Sequence, residues 1–280
     1  MTHEENAPAS GTPSERPAKV RIHHLARAKE EGRKFTMLTA YDALMAEVFD
    51  AAGIDTLLVG DSAANNMMGH ATTLPITVDE MLVFSRSVAA GAQRALVVCD
   101  LPFGSYEESV EQAVRTGVRF MKEGGAHAVK IEGGAYYADH VRALVNAGVP
   151  VIAHIGFTPQ SEHALGGYRV QGRGDAATAL IDDARALEAA GAFCVLMEMV
   201  PAEVAAEVDA ALDVPTIGIG AGSATTGQVL VWQDMLGLRR GRLPRFVKQY
   251  ADLRSVVHDA ATAYREDVVS GAFPAQGQSF

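Results

Sequence analysis

The chain has 280 residues, 48% hydrophobic and 21% charged, which excludes wholesale disorder and suits one large barrel or two smaller domains. The formal net charge is −10 with no basic run to offset it, so neither nucleic acid nor an anionic membrane surface is an expected partner. No apolar stretch reaches the ~20 residues of a membrane span, and two cysteines are too few for a disulfide framework.

Residues 1–19 are rich in Pro, Ser and Glu and lack the apolar core of a signal peptide, so a disordered tail and a cytoplasmic location are expected. Residues 20–280 read as one domain, with C-terminal helices from about 245. Within it one pattern repeats: an Ala-rich amphipathic segment ends at Gly or Asp, and a short apolar run follows. In the first such segment Leu44, Met45, Val48, Phe49 and Ala52 recur at helical spacing. Gly53, Gly125, Gly148 and Gly191 stand where left-handed C-caps would end the helices. The predicted strands are 36–40, 56–61, 95–100, 128–133, 150–156, 194–199, 215–220 and 228–234. Their apolar runs are continuous, as expected of parallel strands covered on both faces. Cys99 and Cys194 lie inside two of them and read as buried thiols.

Eight strands in a domain of this size predict a (β/α)8 barrel, a TIM barrel. An open doubly wound sheet is the runner-up, but strand one runs into TAYDALM with no G-x-G-x-x-G phosphate fingerprint. The weakest joint is the connection from Gly220 to Gln228, which is too short for a crossover helix.

Barrel active sites lie at the C-terminal ends of the strands. Asp61, followed by Ser62, ends strand two, and Asp100 ends strand three. Lys130 and Glu132 alternate on strand four and so share a face. His154 lies near the end of strand five, and Glu198 near that of strand six. Four carboxylates converging on one mouth repel each other, and a divalent cation removes that conflict. Acidic oxygens with one histidine and no cysteine suit Mg²⁺ or Mn²⁺. Such a cation leaves room for a chelating 2-oxo acid and stabilises the enolate formed next to its carbonyl, while one carboxylate stays free as the base.

Several of these residues admit plainer readings. Lys130 could be a Schiff-base lysine or a simple ion-pair partner of Glu132. His154 alone reads by default as a satisfied core histidine, and Ser62 has no evident His-Asp partners. The GIGAG run at 218–222 could cradle a phosphate or only turn tightly. Trp232 and Met235 read as packing.

LTAYD (38–42), VGDSAANN (59–66), VCDLPFGSY (98–106), AVKIEGG (128–134), AHIGFTPQS (153–161), EMVPAE (198–203), IGIGAG (217–222) and GQVLVWQD (227–234) stand in order, and with them the chain resembles the 3-methyl-2-oxobutanoate hydroxymethyltransferase family over nearly its whole length. The resemblance implies a barrel of the phosphoenolpyruvate/pyruvate superfamily, one Mg²⁺ per subunit and a homodecamer built as a pentamer of dimers. It implies transfer of a hydroxymethyl group from 5,10-methylenetetrahydrofolate to 3-methyl-2-oxobutanoate, the first committed step toward pantothenate and coenzyme A. On matching positions it implies Asp61, Asp100 and Glu132 as metal-associated carboxylates. Asp61, Ser62, Asp100, Lys130 and His154 would contact or line the oxo-acid site, and Glu198 would accept the proton. It points to no folate-binding residues. Ala71 and Thr226 stand where relatives usually carry aspartates, and both losses are expected near the mouth. The alternative reading is a metal-dependent C–C lyase of the isocitrate lyase type. Those enzymes usually carry a cysteine after a middle strand, where this chain has KIEGGAYY.

Overall fold

The computed structural model describes residues 18–241 and 243–280. The predicted tail therefore lies outside the described residues, apart from Ala18 and Lys19. The eight strands are β1 (Phe35–Thr39), β2 (Thr56–Val59), β3 (Leu96–Asp100), β4 (Ala128–Glu132), β5 (Val151–Gly156), β6 (Cys194–Glu198), β7 (Thr216–Ile219) and β8 (Gly227–Leu230). All neighbours pair in parallel, and β8 pairs with β1 to close the barrel. The (β/α)8 expectation holds.

Side chains alternate between the two faces of each strand, and this sorts the core into two bodies. Met37, Leu58, Leu96, Val98, Ala128, Ile152, Cys194, Leu196, Ile217 and Val229 fill the interior. The opposite face of the strands, with Cys99, Val129, Ile131, Val151, Ala153, Val195 and Met197, packs under the helices. The interior parity continues one residue further at Asp100, Lys130, Glu132, His154 and Glu198, so the top layer of the barrel is polar. Both cysteines are free and buried.

The connecting helices end as expected: Gly53, Gly125, Gly148 and Gly191 all have positive φ. Asp42, Thr77 and Ser109 accept N-terminal backbone hydrogen bonds in the helices Ala43–Ala52, Val78–Gly91 and Val110–Lys122. The helix Ile22–Glu30, absent from the sequence reading, sets Leu25 and Ala28 into the interior cluster and plugs the barrel at its N-terminal end.

At the closing joint β7 and β8 pair directly with no helix between them, as the short Gly220–Gln228 connection requires, and the barrel closes all the same. One expectation there needs correction. The predicted strand 228–234 stops at Leu230, because Trp232–Met235 forms a one-turn helix instead. Trp232 and Met235 do serve packing. Beyond residue 245 the described residues hold one helix, Leu253–Ser270, which has no buried residue. No described helix is long and apolar enough to cross a membrane.

Gly156 at the end of β5 has φ +89, and a Cβ there would meet the Glu198 carbonyl oxygen at 2.4 Å. Backbone cannot retreat cheaply. Gly156→Ala is expected to cost about 2 kcal/mol or more, and so to lower Tm by several degrees in a thermal melt.

Candidate active site

Six residues singled out from sequence line one cavity at the C-terminal end of the barrel: Asp61, Asp100, Lys130, Glu132, His154 and Glu198. Ser62 lines it too, its Oγ 2.8 Å from the Tyr41 hydroxyl.

Lys130 Nζ sits 3.2 Å from Asp100 Oδ1, 3.2 Å from Glu132 Oε1 and 3.0 Å from His154 Nδ1. Burial alone would favour the neutral amine, but Asp100, Glu132 and Asp61 outweigh it, and the ammonium is held well above its ordinary pKa. A lysine so held is no nucleophile, which disfavours the Schiff-base reading. His154 Nδ1 lies within reach of both Lys130 Nζ and, at 3.2 Å, Glu132 Oε1, so its tautomer sets whether it accepts from the ammonium or donates to the carboxylate. Burial and Lys130 also push the imidazole pKa down, keeping the ring neutral.

The four carboxylates are not equivalent. Burial opposes ionisation of Glu132, but Lys130 and His154 prevail and bring its pKa to about 2. Asp100 rises to about 6, because burial exceeds the pull of Lys130. Asp61 is pushed well up by burial, Glu132 and Asp100. Glu198 rises to about 8 through burial and then Glu132. Its Oε2 is 3.5 Å from His154 Nε2, which makes no hydrogen bond. The residue after it, Met199, has φ +50, so the chain turns sharply in a sparsely populated conformation just beyond that carboxylate.

Sequence reasoning missed the clamp behind this cluster. Gln160 donates through Nε2 to Asp61 Oδ2 (2.9 Å) and to the Leu101 carbonyl (2.9 Å). Its backbone N–H reaches Glu132 Oε2 at 3.0 Å, and Tyr106 donates its hydroxyl to Gln160 Oε1 at 2.6 Å. One residue, through its side chain and its backbone N–H, thereby ties the end of β2, β4 and the loop after β3 together.

The GIGAG glycines are packed: a Cβ on Gly220 would meet Phe246 at 2.7 Å, and one on Gly222 would meet Ala202 at 2.6 Å. Close packing accounts for them without a phosphate. Thr226 is not near the mouth. It precedes β8 at the opposite end of the barrel, where it pairs with Thr216 and donates to Asp209 at 3.2 Å. Ala71 is exposed in the loop after β2.

The residues fit a divalent cation. Three buried carboxylates share one buried lysine, and Asp100 Oδ1 has no hydrogen-bond partner despite its ion pair. The described residues contain no ready-made cage of three or more His, Cys, Asp or Glu ligands. Mg²⁺ needs none, since it is commonly held by one or two carboxylates, waters and substrate oxygens.

Fold and site thus define a (β/α)8-barrel enzyme with an acidic, lysine-bridged pocket at the strand ends. Barrels of the same fold occur in solved structures, one of them described as a PEP mutase/isocitrate lyase superfamily member. The chain is similar to that one, 2,3-dimethylmalate lyase (TM-score 0.60, 20% identity, 90% of this chain and 86% of that one). It is likewise similar to phosphonopyruvate hydrolase (TM-score 0.60, 16% identity, 90% and 88%). At these identities the likeness is one of fold. A family model described as ketopantoate hydroxymethyltransferase matches residues 19–276. The 3-methyl-2-oxobutanoate hydroxymethyltransferase of Paenarthrobacter aurescens is 64% identical over 98% of this chain and 99% of its own length. That of an Arthrobacter species is 67% identical over 98% and 92%. The chain belongs to the ketopantoate hydroxymethyltransferase family and is a hydroxymethyltransferase.

Proposed function

We propose that the chain transfers a hydroxymethyl group from 5,10-methylenetetrahydrofolate to 3-methyl-2-oxobutanoate, giving 2-dehydropantoate, with Mg²⁺ as its cofactor. The observation that carries this reading is the separation of roles among the carboxylates. Glu132 and Asp100 are bridged by Lys130, whereas Glu198 stands apart beside a neutral histidine. Asp61, Asp100 and Glu132 would hold the cation, which when bound supplies a Lewis acid for the oxo-acid carbonyl. Lys130 and Ser62 hold the anionic end of the substrate. Glu198 removes the C3 proton, and C3 then bonds to the one-carbon unit of the folate. The new hydroxyl oxygen comes from water, and tetrahydrofolate leaves.

The lyase alternative lacks support from the thiols: Cys99 lies under the helices and Cys194 at the start of β6, both away from the mouth. A cytoplasmic homodecamer belongs to the same proposal. The exposed Val256, Val257, Tyr264 and Val268 on the last helix offer apolar surface for such contacts.

The test is exchange of the C3 proton of 3-methyl-2-oxobutanoate into deuterated water, followed by NMR. Exchange should stop with EDTA and return with Mg²⁺. Exchange indifferent to EDTA would defeat the metal assignment, and none under any condition would defeat the reading. Gln160→Leu should weaken Mg²⁺ binding about 10-fold or more in calorimetry, because Asp61 loses the amide that orients it while the backbone N–H on Glu132 stays.

A further inference from the structure

We propose that Asp234 anchors a second subsite in the outer part of the cavity, accepting hydrogen bonds from the 2-amino-4-oxo edge of a reduced pterin. The inference rests on the folate reading above and gives that donor's ring a place.

The reading of 228–234 as a strand would have left Asp234 on the barrel wall. The one-turn helix Trp232–Met235 carries it instead to the rim, where it lines the same cavity as Glu198. Asp234 is only 4% exposed, and its Oδ1 has no hydrogen-bond partner. Arg239 Nη1 lies 3.4 Å from that oxygen, on a side chain 48% exposed. A carboxylate this buried, with one long ion pair to a half-exposed arginine as its counter-charge, has room for further donors. Two further buried oxygens without partners, Asn65 Oδ1 and Thr73 Oγ1, line the cavity from the segment after β2. Nothing in the proposed chemistry of the floor uses any of the three.

The surroundings narrow the ligand. Four carboxylates already stand at the floor, so another anionic group is not what Asp234 selects. The adjoining walls include Tyr168, Phe246 and Val231, flat or apolar surfaces suited to a ring. An N–H and an NH₂ side by side on a planar heterocycle match the two oxygens of a carboxylate in one plane. A pterin presents that pair at N3 and the 2-amino group.

The competing explanation is structural: Asp234 holds Arg239 and nothing else. Ligand-side chemistry separates the two without relying on any variant. Tetrahydrofolate and its analogue with the 2-amino group replaced by methyl are titrated into the full-length wild-type chain. The analogue should bind about 10-fold or more weakly, the cost of leaving a buried charged acceptor without its donor. Asp234→Asn should weaken tetrahydrofolate by a similar factor and no longer distinguish the two ligands. Arg239→Ala should keep the discrimination. Equal wild-type affinity for the two ligands overturns the subsite while leaving the folate reading intact. A wild-type chain that exchanges the oxo-acid proton yet binds no tetrahydrofolate overturns both.

Discussion

Glu198→Gln should lower C3-proton exchange of 3-methyl-2-oxobutanoate by roughly 10²-fold or more, the usual share of a general base, while oxo-acid binding weakens much less. The amide keeps the shape and loses the basic site. Stability should move the other way. The native pKa of about 8 lies above the ordinary carboxylate value of 4.5, so the folded chain keeps a proton that the unfolded chain releases. Between those values rising pH erodes stability. In EDTA the variant should therefore melt higher than wild type at pH 8, by about 2 °C for each kcal/mol regained, with little difference near pH 4. Undiminished exchange in the variant would mean that another group takes the proton.

Removing Lys130 should be at least as damaging. The ammonium bridges Asp100 and Glu132, so Lys130→Ala leaves two buried carboxylates facing each other and the substrate's anionic end without a counter-charge. Turnover should fall by about 10²–10³-fold or more. Lys130→Arg keeps the charge but replaces a compact ammonium with a planar fork, so it should retain a little activity. Borohydride with substrate should add no mass to Lys130. A trapped adduct would replace the electrophilic cation with a Schiff base.

Most of the barrel was legible because the signal is local. Seven of the strands end within two residues of the expected positions, since continuous apolar runs between capped helices have few other solutions. The polar top layer was legible for the same reason: a period of two puts Lys130 and Glu132 on the inner face with the interior set. What was missed depends on contacts remote in sequence. Gln160 looked like part of a turn, yet its partner Asp61 lies 99 residues away. Thr226 was placed at the wrong end because strand direction, not motif proximity, decides which rim a residue joins. Asp234 changed character when its strand stopped at Leu230. The helix Ile22–Glu30 was hidden beside the tail, since Leu25 and Ala28 are its only buried positions.

The central claim is that one barrel removes the C3 proton of an oxo acid and joins that carbon to a folate-borne one-carbon unit. The most direct measurement is carbon tracing. The chain is incubated with Mg²⁺, 3-methyl-2-oxobutanoate and 5,10-methylenetetrahydrofolate labelled with ¹³C at the methylene carbon, and the products are read by NMR. The account predicts the label in the hydroxymethyl group of 2-dehydropantoate, and none of that product with Glu198→Gln above about 1% of the wild-type rate. Proton exchange without any labelled product would contradict it.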